Sequence, residues 1–381
     1  MSLDYILINI LETLLRFLPV PCKTGLVRVG NPGPQAPVLV TGNYHLTVLR
    51  LKRALRGLDA HVLVANSRGI NVWCAAAGGH FTHHQVISAL KTSGLENLVN
   101  HRTVILPPLA ATGVEAAAVR QKAGFEVKWG PVYATDLPEY LKNGGLKTPR
   151  MREVEFSLQQ RLEMAGMWAF PFFVLAVPAA WAWWPKMVVP LAVLLWVLPL
   201  LVFVLFPRYE RWLRPRPGAA RPGWPGALWE FIRVPLMMWG LCLLGLAAAG
   251  LAGIFRPGFF WLWGLTCLVI LMFIGLDLKG STPVYKSATH PDHEFQVVLD
   301  REKCRTAGAC EQVCPRNCFE VDYDRRRTLM PRAGRCVQCG ACIVQCPHDA
   351  LAFRDSRGRR IPPETVRTYK LNLLGTRQKP V

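Results

Sequence analysis

The sequence predicts a chain of three parts, an open α/β domain, a four-helix transmembrane domain and a small α+β domain, and three observations carry that prediction. Short apolar runs alternate with helix-patterned stretches up to about residue 160, which argues for a parallel sheet with crossover helices, Rossmann-like in class. Four long apolar runs follow, each near the ~20 residues that a helix needs to cross a bilayer. Eight of the twelve cysteines then lie between Cys304 and Cys346, at the spacing of iron-sulfur ligands.

A chain of 381 residues exceeds one typical core. Its net charge of +20 is spread over all three parts, so it reads as attraction to a membrane surface and to anionic partners. Basic residues are not interleaved with a stacking platform, and no nucleic-acid partner is expected. Clustered thiolate ligands imply a reducing compartment rather than a disulfide framework.

Residues 1–24 open the chain. Leu3, Ile6, Leu7, Ile10, Leu14 and Leu18 fall at helical spacing, predicting an amphipathic helix that packs on protein or lies on the membrane. Asp4, Glu12 and Arg16 interrupt the apolar run, so it is not a secretory signal.

Residues 25–163 form the α/β domain, with strands expected at VLVTG, HVLVAN, TVILPP and FEVKWGP and helices between them. Neither GxGxxG nor a P-loop is present, which excludes the common dinucleotide and nucleotide cradles. In such a fold ligands rest at the carboxyl ends of the strands. Those ends carry Thr41, Gly42, Asn43 and Tyr44, then Asn71, Val72, Trp73, Cys74, Ala75 and Ala76, then Pro107 to Gly113, then Gly130. Four loops on one rim suggest a large cofactor, with Cys74 at its centre.

The strings GINVWCAA, VLVTGNYHLT, VNHRTVILPPLAATGV, GFEVKWGPVYATDLPEYL and MREVEF, in this order, resemble the corrinoid-binding domain of the mercury-methylation corrinoid protein (HgcA) family. That domain is related to the large subunit of the corrinoid iron-sulfur protein. The resemblance covers about residues 25 to 160. It implies that Asn71 to Ala76 form a cap helix beneath a cobalamin-type corrinoid, with Cys74 at the lower face of cobalt. A thiolate there is a soft, strongly donating ligand, suited to methyl transfer to a soft electrophile such as Hg(II). The chain has no DxHxxG string of the histidine-ligated kind. It departs from the family after the cysteine, where Ala77, Gly78 and Gly79 leave no lysine. The nearby His80, His83 and His84 read as solvated surface.

Residues 164–278 are expected to span the membrane at about 165–184, 187–207, 234–254 and 259–276. Arg208, Arg211, Arg214, Arg216 and Arg221 crowd the middle connection, against Lys186 and Arg256 in the others, so by the positive-inside rule both flanking domains lie in the cytoplasm. Trp181, Trp183, Trp184, Trp261 and Trp263 are placed as interfacial anchors. No span centre carries an acidic residue or a histidine, so a proton or ion path is not indicated.

Residues 290–355 carry the second motif. Cys336, Cys339, Cys342 and Cys346 before Pro347 have the spacing of a bacterial two-cluster ferredoxin, whose fourth cysteine crosses to the other cluster. One 4Fe-4S cluster is therefore assigned Cys336, Cys339, Cys342 and Cys314. The other has Cys304, Cys310 and Cys346, with Ala307 where a fourth ligand would stand. Three thiolates suit a 3Fe-4S cluster; alternatively Cys318 completes a second 4Fe-4S cluster or stays a free thiol. The domain resembles the ferredoxin partner (HgcB) of mercury-methylation proteins but lacks that partner's terminal cysteine pair. Residues 356–381 are expected to be a solvated or lipid-facing basic tail.

The resemblance thus implies a membrane-anchored corrinoid-dependent methyltransferase of anaerobic type, whose fused ferredoxin takes electrons from a low-potential donor and returns cobalt to Co(I). A methyl-pterin or folate protein would be the methyl donor and Hg(II) or another soft electrophile the acceptor. Two alternatives stand beside it: a corrinoid methyl carrier of one-carbon, acetyl-CoA-type metabolism, and a corrinoid and iron-sulfur electron-transfer protein.

Overall fold

The structure is a computed structural model that describes residues 3–213, 222–253, 257–278, 280, 282–290, 292–371 and 377–378. It divides into two units: residues 1–18 with the long apolar helices and the chain to His293, and the α/β and cysteine-rich domains together. Arg214, Arg216, Arg221 and Arg256 of the positive-loop argument, and most of the chain after Leu371, lie outside the described residues.

Helix α1, Leu3–Leu14, is shorter than the expected 1–24 segment. It packs on the first long helix, α7 (Leu158–Trp183), with Leu14 against Gly166 and Arg16 paired to Glu163 at 3.6 Å. Residues 19–22 already belong to the α/β domain, since Val20 O accepts from His45 N and Cys22 N donates to Asn43 O.

Five strands make the α/β sheet, β1 (Gly25–Val29), β2 (Val38–Gly42), β3 (Ala60–Ala65), β4 (Thr103–Leu106) and β5 (Glu126–Trp129), in the order β1-β3-β2-β4-β5. The last four are parallel, as the alternation predicts, whereas β1 adds an unexpected antiparallel edge against β3. Strand side chains alternate faces. Val38, Val40, Leu63 and Ala65 therefore meet α4 (His83–Thr92) and α5 (Ala116–Ala123), while Leu39, Val62 and Val64 meet α2 (His45–Ala54) and α6 (Leu137–Lys142). With β2 central, the chain leaves to β3 on one side and to β4 on the other. In open α/β sheets such a reversal marks where a ligand crevice is expected, here at the carboxyl ends of β2 and β4.

Asn43 ties the loops at this crevice together. Its Oδ1 accepts from Ser67 N at 2.7 Å, Ser67 Oγ at 3.1 Å and Gly69 N at 3.1 Å, and its Nδ2 donates to Cys22 O at 3.2 Å.

In the other unit, α7, α8 (Val188–Leu213), α9 (Trp224–Leu251) and α10 (Phe260–Asp277) are long and apolar enough to cross a membrane. Helices α7 and α8 extend past the expected spans, because the polar ends Leu158–Glu163 and Arg208–Leu213 continue the same helices, and α9 starts ten residues before its expected span, whereas α10 matches its own to within one residue; α7 starts at a Ser157–Gln160 capping box. Trp181, Trp183, Trp184 and Trp261 are exposed, as anchors would be. Trp263 is not: it is only 8% exposed, on the inward stripe with Gly264, Cys267, Leu271 and Ile274 at helical spacing.

The cysteine-rich domain has β6 (Gln296–Leu299), β7 (Glu320–Asp322), β8 (Arg327–Leu329), β9 (Leu351–Arg354) and β10 (Arg360–Ile361), with short helices α11 (Ala309–Val313), α12 (Ala341–Gln345) and α13 (Pro363–Thr368). The domain runs past residue 355, correcting the tail assignment. Arg360 pairs with Arg354 in the β10–β9 ladder, Asp355 binds Arg359, and Val366 is buried in the core. Exposed Arg357 sits in the turn between these strands.

Replacing Asn43 by Ala leaves the buried Ser67 and Gly69 amides without their acceptor, so a loss of about 3 kcal/mol is expected. Denaturant unfolding of the Asn43→Ala chain measures it, with Asn31→Ala, an exposed control, expected to change little.

Candidate functional site

Cys74 lies in α3 (Val72–Ala77), the short helix after β3, and is exposed. Asn71 caps the helix: its Oδ1 accepts from Cys74 N at 3.0 Å and its Nδ2 donates to Cys74 Sγ at 3.3 Å. One side chain thus sets the helix start and orients the sulfur. Val72, Trp73, Ala75 and Ala76 are buried beneath it, so of this string Cys74 faces solvent most fully.

The other rim residues fall into two groups. Asn71 and Pro107 are half-buried at the surface of the crevice. Thr41, Asn43, Tyr44, Gly113 and Gly130 are buried, forming the floor and bracing of the loops rather than an exposed rim. Gly113 allows the closest approach. A Cβ there would stand 2.3 Å from Phe81 O and 2.8 Å from Ala76 O, so only glycine lets the loop after β4 back onto α3. Beyond α3, His80 is half-buried, with burial and then Arg68 holding its imidazole below its usual range. The His83 and His84 rings lie 4.3 Å apart, and among the described residues no group of three metal-ligating side chains gathers around them.

The cluster cysteines separate into two sets. Cys304, Cys310 and Cys346 line one pocket of about 330 Å³, open to solvent, together with Ala307, Thr306, Thr328 and His348. Burial, then smaller effects that include the neighbouring Cys346 and Cys304, pushes the Cys310 thiol up to about 12, so loading a metal there must release its proton. Cys342 is likewise raised by burial and stands near Cys339, Cys336 and Cys314.

Cys318 is in the wrong place to complete the first set. It is 1% exposed and hydrogen-bonded to Cys314 and Cys336, of the set that already has four thiols. The Cys314 hydrogen bond, followed by that of Cys336 and by burial, keeps Cys318 protonated. Its backbone N–H also donates to Cys314 Sγ at 3.3 Å. The reason is geometric. Cys318 follows Cys314 by four residues with Asn317 at φ +49°, a turn that folds it back on Cys314 rather than across to the Ala307 pocket.

A third feature had no signal in the sequence. Gln345, beside Cys346, donates through Nε2 to Ala111 O and Val114 O, both at 2.7 Å, and accepts from Ala116 N at 3.2 Å. The same interface holds Val154 N to Pro315 O at 2.8 Å, Arg316 to Val154 O at 2.8 Å, the Arg152–Glu311 pair at 3.2 Å, and the Arg335–Glu153 pair. Ala111 is buried in the core that contains Cys310, Cys314 and Cys342. Residues more than 150 positions apart make these bonds, so neither pattern nor spacing could announce them.

Residues 16–141 match the family of the CO dehydrogenase/acetyl-CoA synthase delta subunit. Residues 303–350 match the 4Fe-4S dicluster domain. The first range holds every rim residue named above and the second every cluster cysteine; the long apolar helices lie outside both. The chain is 34% identical over 116 residues to the acetyl-CoA decarbonylase/synthase complex subunit gamma of Archaeoglobus fulgidus, covering 30% of this chain and 24% of that protein. Its counterpart in Methanopyrus kandleri is 33% identical over 130 residues, 34% of this chain and 28% of that one. Subunit gamma 2 of Methanosarcina mazei is 35% identical over 128 residues, 32% and 27%. The chain thus spans about a quarter of the length of these relatives.

Two outcomes follow from this geometry. Lys147 donates to Gln312 O at 2.8 Å in the interface, and burial, then Arg152, lowers it from 10.5 to about 7, against the pull of Glu311. The folded protein binds this proton less well than the unfolded chain. Stability should therefore rise with pH between about 7 and 10, and Lys147→Met should flatten that rise in denaturation followed at several pH values. Cys318→Ala removes a hydrogen bond to ligating sulfurs without removing a ligand. The cluster content should stay unchanged while a redox titration moves one cluster to a more negative potential.

Proposed function

We propose that the chain is a membrane-anchored, corrinoid-dependent methyl-transfer protein whose own ferredoxin domain supplies electrons to the corrinoid site. The observation that carries this reading is continuous packing: Gln345, next to the cluster ligand Cys346, binds the Ala111–Val114 backbone, and Gly113 of that loop lies against α3, which presents Cys74.

A corrinoid, when bound, supplies a cobalt atom that accepts and gives up a methyl group. The residues present suit it. The site offers one exposed soft donor, oriented by Asn71, over buried Ala75 and Ala76, at the end of the sheet where a large planar ligand would lie. The Asn71 amide stabilises negative charge on Cys74 Sγ and keeps the sulfur pointed outward.

Methyl carriage in one-carbon, acetyl-CoA-type chemistry is the reading that the relatives favour, since all three are named as subunits of acetyl-CoA decarbonylase/synthase complexes. A methyl-pterin or folate protein would then be the donor, and a partner protein the acceptor. A second reading, methyl transfer to Hg(II), is favoured by Cys74 itself, because a soft, strongly donating thiolate is the residue that would hold cobalt and would suit it to methyl transfer to a soft acceptor.

In the cluster domain, Cys314, Cys336, Cys339 and Cys342 would hold a 4Fe-4S cluster. Cys304, Cys310 and Cys346 would hold a 3Fe-4S cluster with its open corner at Ala307. The four long helices would anchor the chain in the cytoplasmic membrane, with Arg208 and Arg211 at the cytoplasmic end of α8.

The test is anaerobic purification in detergent, followed by absorption and electron paramagnetic resonance spectra. Corrinoid bands should be present in the wild type and shift in Cys74→Ala, with the clusters still reducible. Ala307→Cys should replace the three-iron signal of the oxidised protein by a second reducible 4Fe-4S cluster. Absence of corrinoid under every loading condition would overturn the reading. With methylated protein in hand, demethylation by Hg(II) separates the second reading from the first.

A further inference from the structure

The seam between α9 and α10 holds two cysteines that neither the crevice nor the clusters use. The helices approach closely: Trp239 Nε1 donates to Gly264 O at 2.7 Å, and a Cβ at Gly264 would stand 2.9 Å from Leu243 Cδ2. One turn further along each helix, the Cys242 and Cys267 thiols are hydrogen-bonded to each other across the seam. Cys267 is 1% exposed and Cys242 half-buried, so the pair is closed on one side and reachable on the other.

We propose that Cys242 and Cys267 form a site for a soft divalent cation of the kind that takes two thiolates in line. Three observations select that class. Thiolates prefer soft metals. Around Cys242 and Cys267 no group of three His, Cys, Asp or Glu gathers among the described residues, so zinc, which takes four ligands, is not served at this seam. The surroundings are apolar along both helices, so the bound state must carry little net charge. Two thiolates neutralise a divalent ion completely, whereas a monovalent one would leave a buried negative charge. On binding, two metal–sulfur bonds replace the ion's bonds to its two incoming ligands, each displaced ligand leaves with one S–H proton, and nothing is oxidised or reduced. A neutral mercuric complex can reach Cys242 from the lipid side and exchange its own ligands for the two sulfurs. The site does not depend on the corrinoid reading.

The experiment uses the full chain in lipid nanodiscs, anaerobic, with clusters intact and checked by absorption. Mercuric ion buffered with glutathione is added at one equivalent, and alkylation of each cysteine is then read by mass spectrometry. The expected result is that Cys242 and Cys267 lose reactivity together, that zinc at the same level protects neither, and that Cys242→Ala and Cys267→Ala each hold one mercury fewer than the wild type. The proposal is overturned if both thiols stay reactive while the other cysteines take up mercury, or if the anaerobic protein already carries them as a disulfide. The protection pattern of the wild type decides the matter even where a variant folds poorly.

Discussion

The side-chain amide of Gln345 is the contact on which the arrangement of the soluble part depends. It satisfies two carbonyls and one N–H of the loop after β4, at 2.7, 2.7 and 3.2 Å, inside a region closed to water. A buried carbonyl without a donor costs roughly 1–3 kcal/mol, so separating the two domains would expose or strand three backbone groups at once. Arg367 extends the lock, donating to Cys346 O at 3.2 Å while paired with Glu115 at 3.9 Å. The cluster domain is therefore held as a fixed part of the α/β unit and not as a tethered partner. On the proposed reading, electron delivery from such a fixed donor would have no encounter step, the advantage that fusion offers over a diffusing ferredoxin.

Much of this was legible in the sequence where a local period carries the information. Val38, Val40, Leu63 and Ala65 alternate with Leu39, Val62 and Val64, and the alternation alone implies a sheet covered on both faces. The cysteine spacing likewise anticipates two sets of thiols, because loop length limits which sulfurs can meet. What failed were statements about direction. Asn43 was legible as a residue of a ligand loop, yet its side chain turns inward to four protein partners. Strand β1 was missed because an antiparallel edge needs no crossover helix to mark it.

Cys318 and Trp263 show the same limit from two sides. Each is the right residue type in the right stretch, and in each case one turn of backbone decides the role. Asn317 in the left-handed region folds Cys318 onto Cys314, and a single helical step places Trp263 on the inward stripe while Trp261 points out. Sequence reports which residues are near in the chain; the sign of a turn or the phase of a helix decides which neighbour they face.

The cysteines make the general argument in one residue type. Cys74 is exposed and receives an amide N–H from Asn71. Cys310 is buried, and its proton leaves only in exchange for a metal. Cys318 is buried against thiols that need a donor, so it stays protonated and serves them. Identical side chains thus become an outward-facing thiol, a buried thiol in the pocket of Cys304 and Cys346, and a hydrogen-bond partner to sulfur according to burial and to the nearest polar group. Function in this chain is assigned by environment, and the fold's main work is to keep those environments apart.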